Sequence, residues 1–193
     1  MNILVTGSFA KHNTAALLHE ILPKAAVFVV SLNHLEDLPC MPDLVVVTSI
    51  SPYPLPEGFS RYRDLLDAVS AFALSLPTST VFYVNSDFRF LSSIFHRPCR
   101  WFSASDLPVE QSLLRLPGDR NLIPCLAASA VGTAYAAKTQ VISCLLSFTG
   151  CPGHFQVVDK DGVRLYLQLN NGLPSKACAV FVGYPKKTVI LTG

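Results

Sequence analysis

The chain has 193 residues, of which 50% are hydrophobic and 15% charged, with a formal net charge of +2. That length and apolar share suffice for one large domain, or one domain and a small companion, with a substantial core. The 15 basic residues are dispersed, which argues against nucleic acid or an anionic membrane as partner. No apolar stretch reaches the ~18 residues of a membrane span. Residues 1–30 carry no basic segment ahead of an apolar one, so no signal peptide is expected and the chain reads as cytoplasmic.

"NILV" (Asn2–Val5) reads as a strand, and the stretch "VTGSFAKHNT" (Val5–Thr14) follows from its end. This has the layout of a nucleotide-binding turn between strand and helix, with Gly7, then Lys11, then an apolar helix. Such a loop needs glycine so that its backbone can approach phosphate, lysine for charge, and a following hydroxyl for Mg²⁺. Here Ala10 precedes the lysine and His12 follows it. "NTAALLHEIL" is apolar at helical spacing (Ala16, Leu17, Ile21) and stops before Pro23.

"AVFVV" is the next strand, and "DLVVVTSI" holds a continuous apolar run, Leu44 to Thr48. Such runs suit strands buried on both faces of a parallel sheet. "RYRDLLDAVSAFALSL" is an amphipathic helix and "TVFYVNSD" another strand. After "VEQSLLRLPGDRN" a long helix is expected over "LIPCLAASAVGTAYAA", with Pro124 near its start, and a shorter one over "KTQVISCLLSF". Strands alternating with helices mean an α/β fold with a mostly parallel sheet between helical layers.

"GCPGHF" breaks the alternation. Beyond it, "FQVVDKDGVRLYLQL" reads as a hairpin about Asp161-Gly162, followed by a helix-like "LPSKACAVF" and a last strand in "KTVILTG". A division into residues 1–150 and a small hairpin-containing piece, 151–193, is expected. The six cysteines form no CxxC pair and read as buried, reduced thiols used as small hydrophobes. The five histidines are equally scattered, so no metal cluster is expected.

Several of these stretches, in order, resemble the Mur ligases, ATP-dependent amide ligases of peptidoglycan synthesis. Val5–Thr14 is similar to that family's "TGTNGKTT", and "PDLVVVTSISPYP" to "PDVAVITNISPDH". "VFYVNSD" resembles "VVLNADDP", and "LPGDRNLIPCLAASAVGTAYA" resembles "GRHNVLNALAALAAA". "CLLSFTGCPGHFQVV" is similar to "ALASFKGVPGRFEVV", and "YLQLNNGLPSKACAVF" to "DYAHNPDSLRAAL". The resemblance implies the family's P-loop-like central ATPase domain and the start of its C-terminal domain, with the N-terminal domain absent.

It also implies a nucleotide site, in vestigial form, at Gly7, Ser8, Lys11, His12, Asn13, Asn85, Asp87 and Asn121. The family's metal-binding and carbamylated positions fall on residues that cannot serve. The hydroxyl after the lysine is His12, and Thr14 is too far on to replace it. The metal-binding glutamate is Val29, the histidine of "SPDH" is Pro54, and the carbamylated lysine is Leu66. No catalytic and no metal-binding residue is therefore assigned. ATP and Mg²⁺ are the cofactors the resemblance implies, with weak binding at most to be expected.

Other readings of the same residues stay open. Lys11 also suits a solvated side chain at a helix start. Asn85 suits a turn cap and Asn121 a helix cap, and His12, Asn13 and Thr14 are ordinary first-turn residues. His34, beside Glu36 and Asp37, reads as surface, and Tyr53 and Tyr62 as packing.

The expected function is that of a degenerate Mur-ligase-like protein without independent ligase activity. It would serve as a binding or partner subunit, associating with itself or with another ligase-like protein. The alternatives are an ATP-dependent carboxylate–amine ligase completed by a partner, and an accessory module that binds nucleotide weakly.

Overall fold

The structure, a computed structural model, describes residues 1–87, 92–95, 97–152, 154–168 and 190–192. Its first sheet has five strands: β1 (Asn2–Thr6), β2 (Ala26–Val29), β3 (Leu44–Val47), β4 (Val81–Asn85) and β5 (Cys99–Phe102). All pair in parallel, in the order β2-β1-β3-β4-β5. Helices α1 (Lys11–Ile21), α4 (Asp119–Tyr135) and α5 (Lys138–Ser147) cover one face; α2 (Tyr62–Ser75) and the short α3 (Ser92–Phe95) cover the other.

The apolar runs have a direct reading in this layering. Ile3 and Val5 of β1, Leu44 and Val46 of β3 and Tyr83 of β4 face the core shared with α1 and α4. Their alternates, Leu4, Val45, Val47, Phe82 and Val84, face the core under α2. Side chains alternate across a strand, so a strand covered on both faces must be apolar throughout. Helices α1, α4 and α5 meet closely at Gly132, where a Cβ would lie 3.0 Å from both Ile21 Cγ2 and Val141 Cγ2.

Several boundaries differ from the sequence reading. α1 begins at Lys11, two residues earlier than expected. α4 begins at Asp119, so Pro124 lies past the first turn, where proline offers no N–H to the carbonyl four residues back. β5 and α3 were not expected: "CRWF" carries an arginine in a short edge strand and has no apolar run to mark it. β5 completes the sheet beside β4.

A second sheet has the order β6-β7-β8. β6 (Gln156–Lys160) and β7 (Val163–Gln168) form the expected antiparallel hairpin. Asp161 at φ 52° and Gly162 at φ 75° supply the two left-handed residues that a tight hairpin turn requires. β8 (Ile190–Thr192), within the expected last strand, pairs with β7 in parallel. The helix expected over 173–181 lies outside the described residues. Phe155, Val157 and Tyr166 join the same apolar cluster as α1, α4 and α5, so the hairpin is packed onto the helical layer. Among the described residues no helix is long and apolar enough to cross a membrane.

Candidate functional site

The carboxyl ends of the parallel strands carry the loop between β1 and α1. Open α/β sheets bind their ligands at this end. Gly7 opens the loop at φ 146°. A Cβ there would sit 2.2 Å from Thr48 Oγ1 and 2.9 Å from Ser49 N, so only glycine lets β1 and β3 approach so closely. Ala10 holds the left-handed conformation at φ 68°, ψ −9°, just before α1. The family motif has glycine at that position. The backbone at Ala10 has the shape that glycine would favour.

The loop's own donors are engaged by the end of β3. Ser8 N–H donates to Ser49 C=O at 3.0 Å, and Phe9 N–H donates to Ser49 Oγ at 2.9 Å. Thr48 Oγ1 donates to Phe9 C=O at 2.6 Å, and Ser51 N–H donates to Ser8 Oγ at 2.8 Å. A phosphate cradle works by presenting free backbone N–H groups. Two of the groups in this loop already have internal partners.

Lys11 Nζ reaches back to Gly7 C=O at 3.4 Å, and burial lowers its pKa. His12 stacks on His154, with ring centroids 3.8 Å apart and planes 7° from parallel. Burial first, then the neighbouring His154 and Lys11, pushes the His12 imidazole down to about 4. His154 is lowered by burial and by Lys11. Both shifts favour the neutral imidazole. Asn13 is buried and accepts Cys151 N–H through Oδ1 at 2.7 Å. Thr14 is fully buried and its hydroxyl donates to Ala10 C=O at 2.9 Å, so it offers nothing to a metal.

The remaining residues implied by the resemblance fall into two places. Asn85 and Asp87 line a cleft of about 270 Å³ with Phe9, Ser103, Ala104, Leu122, Ile123 and Leu126. Asn85 is buried; its Nδ2 donates to Thr48 C=O at 3.4 Å and its Oδ1 accepts Asp87 N–H at 3.0 Å, which is the turn-capping role. Asn121 sits inside the first turn of α4 and donates to Pro117 C=O at 2.6 Å, tying the entering chain to the helix. Gly7, Ser8, Lys11, His12 and Asn13 lie within one loop and helix start, so the structure separates the eight residues into the loop, the cleft and the α4 start.

The positions that would hold metal carry no ligand here. Val29 lies in edge strand β2, Pro54 is exposed after Tyr53, and Leu66, on α2 itself, packs against the core under that helix. No group of three or more His, Cys, Asp or Glu among the described residues could hold a metal ion. The residues present do not fit the family's Mg²⁺. His34 is a surface residue paired with Asp37 at 3.0 Å. Tyr62 donates to Ile50 C=O at 3.2 Å; Tyr53, expected among the packed residues, is 78% exposed. Of the described cysteines only Cys125 is fully buried; Cys40, Cys99, Cys144 and Cys151 are half-buried and free.

Sequence reasoning missed Thr48 and Ser49, which lock the loop, and Cys151 and His154, which meet α1 across about 140 positions of chain. The "TS" that ends the Leu44–Thr48 run was the available signal for the first pair: hydroxyls at the carboxyl end of a central strand have only loop backbone to bond. Nothing in the sequence marks the second pair.

Comparison of the sequence with protein-family models and with curated proteins finds no match. Solved structures do match. Against MurF from Acinetobacter baumannii the TM-score is 0.69 at 16% identity, covering 92% of this chain and 52% of that one. Against the MurF ligase from Thermotoga maritima, solved in complex with ADP, it is 0.69 at 14%, covering 97% and 58%. Against a murein peptide ligase from Psychrobacter arcticus it is 0.61 at 10%, covering 94% and 54%. The chain has a Mur-ligase-like fold and spans about half the length of the solved structures it matches.

Proposed function

We propose that this Mur-ligase-like chain is a binding or partner subunit that does not by itself perform ATP-dependent amide formation. The reading rests on one observation: the loop is closed on itself. Ser8 and Phe9 N–H groups are bonded to Ser49, and His12, where a Mg²⁺-binding hydroxyl is required, is stacked on His154. Phosphoryl transfer to a carboxylate needs cations and free donors around the transferring phosphate. This loop offers Lys11 and little else. The low share of charged residues, 15%, supports a chain that works in association with a second copy or a ligase-like partner.

A second reading, weak nucleotide binding without turnover, is favoured by the cleft beside Phe9. Its lining combines Phe9, Leu122, Ile123 and Leu126 with the Asp87 carboxylate, a mixture suited to a flat, hydrogen-bonding ring. Calorimetric titration with ATP and Mg²⁺, paired with light scattering at micromolar protein, separates these readings. The partner-subunit reading expects no heat from Mg²⁺–ATP and a mass above 21.0 kDa, the mass of one chain. A dissociation constant in the low micromolar range (about −8 kcal/mol) would contradict it, as would ATP-dependent turnover. A millimolar constant would favour the second.

A further inference from the structure

We infer that His12 and Asn13 act as a clasp on Cys151 and His154, so that the loop after β1 and the second sheet change conformation together. The two residues directly after Lys11 make contacts that ordinary helix packing does not require. One is the hydrogen bond from Cys151 N–H to the buried Asn13 Oδ1, 2.7 Å long. The other is the His12–His154 stack, with centroids 3.8 Å apart. Both land on the same short turn, and that turn leads directly into β6.

The turn is built to transmit rather than absorb displacement. Gly150 lies at φ 93°, and a Cβ there would meet Phe155 O at 2.1 Å, so the chain folds back on itself with no slack. His154 N–H donates to Cys151 C=O at 3.0 Å and Val157 N–H to Thr149 C=O at 2.6 Å. Phe155, at φ 28°, puts its ring into the core, 6.0 Å from the Tyr166 ring of β7. At the other end, the loop is fixed to β3 through Ser49 and Thr48. The path from the end of β3 to the hairpin therefore runs through the hydrogen bonds to Phe9, the chain from Phe9 to Asn13, the contacts with Cys151 and His154, and the tilted Phe155–Tyr166 ring pair. A ligand or partner that shifts the loop would move α1's first turn and, through it, the second sheet.

Amide hydrogen exchange on the full chain tests this. Gly7→Ala, whose Cβ would lie 2.2 Å from Thr48 Oγ1, perturbs the loop end alone. Should it fail to fold, Ser49→Ala, which removes the acceptor of Phe9 N–H, takes its place. Exchange at Cys151 and His154 is expected to quicken by about tenfold beyond any change in the β4 amides. In a His12→Ala/Asn13→Ala background, where Cys151 exchange is already fast, the loop substitution adds no further acceleration. His12→Phe, which keeps a flat ring for His154, restores protection at His154. The proposal is overturned if the loop substitution leaves Cys151 and His154 unchanged. It is equally overturned if exchange quickens uniformly across the chain, or if the two substitutions act additively.

Discussion

Ala10→Gly should stabilise the protein. Ala10 adopts φ 68°, ψ −9° at the start of α1, and an L-residue in that region carries about 1–2 kcal/mol of steric cost. Glycine removes this cost. It also adds backbone freedom to the unfolded chain, worth about 0.5–1 kcal/mol in the opposite direction. The only group lost is a half-exposed methyl, so packing contributes little. The difference is a net gain of about 0.5–1 kcal/mol. Urea unfolding followed through Trp101, the single tryptophan, would show the midpoint rising by about 0.2–0.5 M for a slope near 2 kcal/mol per M. A midpoint that falls would refute the reasoning, since it would mean that Ala10 is not held in the left-handed region. The same variant should bind phosphate no better than the parent, because Ser8 and Phe9 N–H stay bonded to Ser49.

Repairing the motif further with Ala10→Gly/His12→Thr should still yield no ATP-dependent turnover, since Val29, Pro54 and Leu66 supply no metal ligand; ADP release above background would contradict this. Arg97 donates to the carbonyls of Ala73, Leu76, Pro77 and Thr80 and lies 4.9 Å over the Phe82 ring. Arg97→Met should therefore cost about 2–3 kcal/mol in urea unfolding, and Arg97→Lys somewhat less; a loss under about 0.5 kcal/mol for Arg97→Met would show that water replaces those bonds. The His12 imidazole is depressed from 6.5 to about 4 in the folded state, so the unfolded chain takes up its proton first on acidification. That stabilisation is complete above about pH 6.5 and declines as the pH falls toward 4. The urea midpoint of His12→Phe should fall less steeply than the parent's over this interval, and an equal slope would exclude His12 as the source.

The α/β class, the central strands and the hairpin were legible in the sequence because each depends on local pattern. Leu44 to Val47 must be apolar throughout in a strand covered on both faces, and Asp161-Gly162 is a turn by its own backbone preferences. The likeness of Val5–Thr14 to a phosphate loop was legible too, since glycine and lysine spacing is a one-dimensional property. What the loop does was not. Whether Ser8 and Phe9 N–H groups are free depends on Ser49, about 40 residues away and adjacent only because β1 and β3 pair in parallel. Whether His12 meets metal, water or another side chain depends on where the chain returns at His154. Edge strand β5 escaped for a related reason: with solvent on one side it needs no continuous apolar run, and only the register against β4 makes "CRWF" a strand. Local sequence determines which conformations a segment prefers. Which polar groups are left to bind a ligand is decided by partners that only the closed tertiary structure brings within 3 Å.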